Sequence, residues 1–74
     1  MGQSIEEIAE KIRLILNSEG ATETTHLKLK LELSASKLFL ALGWMLKEGK
    51  VEMEASEYGY KVRLAKEQLT RASN

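Results

Sequence analysis

Residues 38–46, Leu-Phe-Leu-Ala-Leu-Gly-Trp-Met-Leu, form an uncharged run in a chain that is otherwise rich in Lys and Glu. A membrane span needs about 20 apolar residues. Lys37 and Lys47 close this run at roughly half that length, which removes the span. On a helix at about 100° per residue, Leu38, Ala41, Leu42 and Met45 fall on one face and account for a core. Leu40, Gly43, Trp44 and Lys47 lie roughly opposite, with Phe39 and Leu46 on one flank. Ser34 or Ser36 can cap such a helix and Gly49 can close it near Glu48. The run therefore predicts a helix with two apolar faces, and a small domain can easily bury only one of them.

The chain has 74 residues, enough for one domain. A domain of this size hides only about 60% of the surface its unfolded chain exposes, so contacts with partners matter to it. It has no Cys, which removes disulfides and thiolate chemistry and suits a reducing compartment. The first residues lack the apolar stretch of a signal peptide, and Glu6 stands where a myristoylation signal wants Ser or Thr. The expectation is an untargeted cytoplasmic protein with no membrane contact. Net charge is zero but unevenly spread. Residues 1–24 set Lys11 and Arg13 against five glutamates, and residues 25–50 set five lysines against Glu32 and Glu48. A mildly basic middle third is a weak pointer to an anionic partner, since dedicated nucleic-acid binders show a strong basic patch.

Ser4 followed by Glu7 is a capping box, and Ile5, Ile8, Ile12, Ile15 and Leu16 recur at helical spacing until Asn17-Ser18-Glu19-Gly20. This predicts a helix over about 4–18. The stretch from His26 to Leu33 alternates like a strand, with leucine at every second position. Leu and Lys are nevertheless good helix formers, and β-branched and aromatic residues are missing there. On a helix Leu27 and Leu31 share a face and only Leu29 is left over. Val51, Met53 and Ala55, then Tyr60, Val62 and Leu64, alternate with charged residues as a β-hairpin does. A four-residue loop at Ser56–Gly59 sets Glu54 opposite Lys61, Glu52 opposite Arg63, Met53 opposite Val62 and Val51 opposite Leu64. A two-residue loop at Tyr58-Gly59 shifts the partners and keeps the parity. Either register gives one apolar face and one face of opposite charges.

A capped helix, a short extended piece at residues 21–24, two helices joined by a tight turn and a terminal hairpin make the order of a winged helix-turn-helix. Leu27, Leu31, Leu33, Ser34, Leu38, Leu42, Met45, Gly49 and Val51 resemble its pattern of second helix, turn, recognition helix and first wing strand. The resemblance covers residues 4–64. More narrowly, "LALGWMLKEGKV" is similar to a stretch of small bacterial winged-helix proteins of uncharacterised function. It implies an α+β winged helix-turn-helix, with three helices, a short strand and a C-terminal β-hairpin wing. The expected domain is 1–65, and a tail at 66–74 adds a short helical turn or frays.

In that class the exposed side of the third helix enters the major groove. Carried onto this chain, the resemblance puts Ala35, Ser36, Lys37, Phe39, Leu40, Gly43, Trp44 and Lys47 at the reading positions. Base readout calls for Arg, Asn, Gln or Lys; this helix offers two lysines and an apolar strip. The wing tip carries Glu57 and no cation, so weak, salt-sensitive DNA binding is the most the sequence supports.

Two functions are carried forward. One is docking of a protein partner or a second copy through Phe39, Leu40, Gly43 and Trp44, because an aromatic anchor beside a small residue suits an interface. It competes with Trp44 folding back beneath helix 1, the wing or the tail. The other is a DNA-binding regulator using Lys28, Lys30, Ser36, Lys37, Lys47, Lys61 and Arg63, against the plain reading of these lysines as a solvated surface. Lys28 and Lys30, two residues apart, do not share a helical face. His26 has Glu23 near it but no second His, Cys or Asp, so a surface histidine is expected and no metal or cofactor follows. One His, no Cys and no Asp leave no nucleophile-base set, and the glycines lie singly. No enzyme and no small-molecule ligand are expected.

Overall fold

The computed structural model describes residues 4–65. Its elements are α1 (Ile5–Glu19), β1 (Thr22–Glu23), α2 (Thr24–Leu31), α3 (Ala35–Lys47), β2 (Val51–Ser56) and β3 (Gly59–Leu64). The three strands form one antiparallel sheet in the order β1-β3-β2. This is the α+β arrangement that the resemblance implies. The expected tail at 66–74 lies outside the described residues.

Local chemistry sets each boundary. At the start of α1 the Ser4 hydroxyl accepts from the Glu7 N–H at 3.0 Å, and the Glu7 carboxylate accepts from the Ser4 N–H at 3.3 Å. This reciprocal pair satisfies two donors that a helix start leaves open. Gly20 ends the helix at φ +81°, a region that costs other residues more. The alternating stretch is helical as read: Leu27 is fully buried, Leu31 is partly buried on the core, and Leu29 is 76% exposed. Glu32 takes the left-handed conformation, φ 55° and ψ 47°, and turns the chain into α3. Of the two candidate caps, Ser34 is the one used, its hydroxyl accepting from the Lys37 N–H at 3.2 Å. Ser36 lies exposed in the first turn.

The hairpin has the register expected of a four-residue loop, Val51 opposite Leu64 through Glu54 opposite Lys61. The ladder runs two pairs further, to Ala55–Tyr60 and Ser56–Gly59, so the turn is only Glu57-Tyr58. The alternative turn at Tyr58-Gly59 is not adopted. The start of α2 packs against this end of β3: the Thr24 hydroxyl accepts from the Tyr60 N–H at 3.3 Å and would lie 2.7 Å from a Cβ on Gly59. Glycine is needed there, at φ +155°, to let the start of α2 approach β3. Ser56 also donates to the Glu23 carboxylate at 2.6 Å, tying the wing tip to β1.

The core joins one face of each helix to the inner face of the sheet. Ile8, Ile12, Leu27, Leu38, Leu42, Met45 and Val62 are the largest fully buried side chains. Burying a side chain of this kind contributes about 1.5–3 kcal/mol. Val51 and Leu64 close the core at the root of the hairpin, and Ala65 donates its N–H to the Lys50 carbonyl at 3.0 Å. Further out, Met53 is only partly buried, Ala55 is exposed and Tyr60 is 43% exposed. The distal half of the wing thus overhangs α3 without closing on it.

Candidate interaction face of the third helix

Four sides of α3 meet four environments. Its inner side, Leu38, Ala41, Leu42 and Met45, is buried as the spacing predicts. Its α1 side carries Trp44, half-buried against the core beneath the Lys50 ammonium, which stands 5.0 Å from the ring centroid. A small cavity there is lined by Trp44, Lys50, Ala9, Glu10 and Arg13 among others. The hairpin side forms an open groove of about 400 Å³ between Phe39, Gly43 and Leu46 on the helix and Met53 and Tyr60 on the strands. Leu40, 62% exposed, stands on the outer crest.

The four residues expected to dock together are thus divided. Phe39 and Gly43 share the groove, Leu40 stands on the crest, and Trp44 turns to the other flank. For Trp44, packing back toward α1 describes the geometry better than a free anchor. Besides the buried Leu42 at its base, three groove residues were not in the expected set: Leu46, Met53 and Tyr60. The spacing does put Leu46 beside Phe39, and hairpin parity puts Met53 and Tyr60 on the inward face. What parity cannot give is how far the core extends along the hairpin.

Phe39 and Tyr60 meet edge to face, ring centroids 6.1 Å apart at 75°. Such pairs contribute about 0.5–1.5 kcal/mol beyond burial and hold both rings in place. The same two rings line a second hollow between α2, α3 and the wing tip, shared with Lys28 and the 77% exposed Tyr58. Phe39 and Tyr60 therefore join the groove at Leu46 to the hollow at Tyr58, where Lys28 brings a charge to the lining.

Gly43 is unexplained inside the fold. A Cβ there would meet nothing within 4 Å, and its φ is not in the left-handed region. A mid-helix glycine costs about 1 kcal/mol relative to alanine. Nothing within the described residues offsets that cost.

The cation candidates also separate. Lys30 is paired with Glu19, whose second oxygen lies 3.3 Å from His26 Nε2. The hydrogen bond from Lys30, with the nearby charges of Lys30 and His26, holds the Glu19 carboxyl below its ordinary value of 4.5. Arg63 reaches Glu54 at 2.9 Å and Glu52 at 3.1 Å. Those bonds, the one to Glu54 foremost, raise its already high pKa. Glu54 therefore bonds diagonally to Arg63, whose planar guanidinium also holds Glu52, and not to Lys61, its partner in register. Lys28, Lys37, Lys47 and Lys61 are exposed and make no ion pair among the described residues. His26 is exposed near the start of α2, as expected, and no three His, Cys, Asp or Glu side chains among the described residues converge to hold a metal.

Over residues 1–64 the sequence matches the family described as a winged helix-turn-helix domain (DUF2582). The chain belongs to this family. In winged-helix terms α2 and α3 are the helix-turn-helix, β2 and β3 are the wing, and the apolar groove lies between recognition helix and wing. No curated protein and no solved structure matches the chain. Among the described residues, no helix of this winged-helix domain is long and apolar enough to cross a membrane.

Proposed function

We propose that this winged-helix domain is a non-catalytic interaction module that takes a protein surface, from another protein or a second copy, along the outer and wing-facing sides of α3. One observation carries the reading. Phe39 and Leu40, 42 and 62% exposed, stand where a base-reading helix would present polar groups, and Leu46 and Tyr60, 45 and 43% exposed, extend that apolar surface toward the wing. Among the cations a DNA reader would use, Lys30 and Arg63 are committed to glutamates. A cytoplasmic setting belongs to this reading, supported by a sequence without cysteine.

A small DNA-binding regulator is the second reading. It is supported by Lys28, Lys37, Lys47 and Lys61, which are exposed and make no ion pair among the described residues. Titration of duplex DNA at low and moderate salt separates the two. Docking leads to no salt-sensitive complex, and to indifference when Lys37→Ala and Lys47→Ala are introduced. A complex that weakens steeply with salt and is lost with those lysines would replace the docking reading with the regulator.

A further inference from the structure

The outer stripe of α3 reads the same from either end. Ser36, Leu40, Gly43 and Lys47 are spaced four, three and four residues apart, and all four are exposed. Two such helices running antiparallel place Leu40 of each opposite Gly43 of the other, with Ser36 opposite Lys47. Leu40 is a knob with no hole inside its own fold, and Gly43 is a hole with no knob: its missing Cβ faces open space. Helix packing sets side-chain ridges into grooves, and a glycine deepens the groove.

We propose that the occupant of this face is a second copy of the same chain, joined by a two-fold antiparallel contact between the α3 helices centred on the reciprocal Leu40–Gly43 pairs. This rests on the docking reading and goes beyond it by naming the partner and the register.

Charge supports both choices. The chain has no net charge, so two copies meet without overall repulsion. A parallel contact would oppose Lys37 to Lys37 and Lys47 to Lys47. In the antiparallel contact, the turn bearing exposed Glu32 approaches the partner's helix end bearing exposed Lys47. The symmetry also puts both wings on the same side of the helix pair, so Phe39 of one copy lies beside Leu46 of the other. The apolar groove of each copy then continues into that of its neighbour. A two-fold contact of this kind uses one patch twice and closes, giving a dimer and not a filament.

The absence of native cysteine allows a direct test. Ser36→Cys and Lys47→Cys are made separately, mixed and oxidised. Antiparallel pairing gives the mixed disulfide dimer, while each variant alone stays unlinked, because like positions sit about 16 Å apart along the axis. Gly43→Ala serves as the second arm. It is expected to weaken self-association of the wild-type chain at least ten-fold while raising the urea midpoint of the dilute monomer. Cross-linking of Ser36→Cys with itself in preference to the mixture would overturn the antiparallel register. Wild-type protein that stays monomeric at millimolar concentration and retains no duplex DNA would overturn the second copy and leave docking to an unlike protein standing. A monomer that binds duplex through Lys37 and Lys47 would end both.

Discussion

The inner and outer sides of α3 use nearly the same residue types and meet opposite fates. Leu38, Ala41, Leu42 and Met45 are buried to within 1% of exposure, while Leu40 keeps 62% and Leu46 keeps 45%. On the inner side each side chain is accounted for by neighbours from α1, α2 and the sheet. On the outer side a leucine stands in solvent, a glycine weakens the helix without relief and two aromatic rings brace one another at the rim of an open groove. Apolar sequence therefore marks two different debts. One is settled within the fold, and the other is the surface that we propose a second molecule covers.

Substitutions can break or sharpen that contrast. The largest effect belongs inside: Leu42→Ala empties a fully buried site and is expected to lower the unfolding free energy by about 3 kcal/mol in urea denaturation. Ala41→Gly adds a helix penalty to the loss of a buried methyl, for an expected cost of about 1–2 kcal/mol. Gly43→Ala, two residues on, is expected to run the other way, stabilising the dilute monomer by about 0.5–1 kcal/mol because its methyl enters open space. A loss of stability there would mean that Gly43 is already packed against something within the chain. Leu40→Ala is expected to move the same measurement by less than about 0.5 kcal/mol. A cost near that of Leu42→Ala would erase the difference between the two sides.

The smallest effect is acidic. Glu10 is held below its ordinary 4.5 by the hydrogen bond from Arg13, and Glu19 by that from Lys30. Folded values lower than unfolded ones give a contribution that is present above about pH 4.5 and lost as pH falls through the folded values. Both pairs are exposed and lie off α3. A slight fall in thermal stability below pH 4.5 is therefore expected by circular dichroism.

Most of this fold is legible in the sequence, because short-range chemistry writes it. The Ser4–Glu7 box, the serine cap of α3 and the hairpin register each depend on residues close together in the chain. Even the deceptive leucine alternation at 27–33 resolves once Leu29 is allowed to stand in water. The interaction face is less legible. Helical angles separate the two faces of α3, but they do not show that Trp44 tilts toward α1 beneath Lys50, since Lys50 lies beyond the helix end. Nor do they show that Met53 is only partly buried against the core and that Tyr60 is exposed beyond it. That depends on where the hairpin leaves the helices, and residues as far apart in the chain as Thr24 and Tyr60 meet there. The Arg63 fork to Glu52 and Glu54 is hidden for a related reason. Register names opposite residues, whereas side-chain reach selects diagonal ones.

Sedimentation equilibrium on the wild-type chain and on Leu40→Glu, over a wide concentration range, tests the outer face most directly. The wild type is expected to pass from 8.3 kDa toward twice that mass as concentration rises. Leu40→Glu is expected to remain at the monomer mass throughout, with an unchanged helical circular dichroism spectrum. Superimposable mass curves for the two proteins, whether monomeric or dimeric, would contradict the assignment of this face to a second copy.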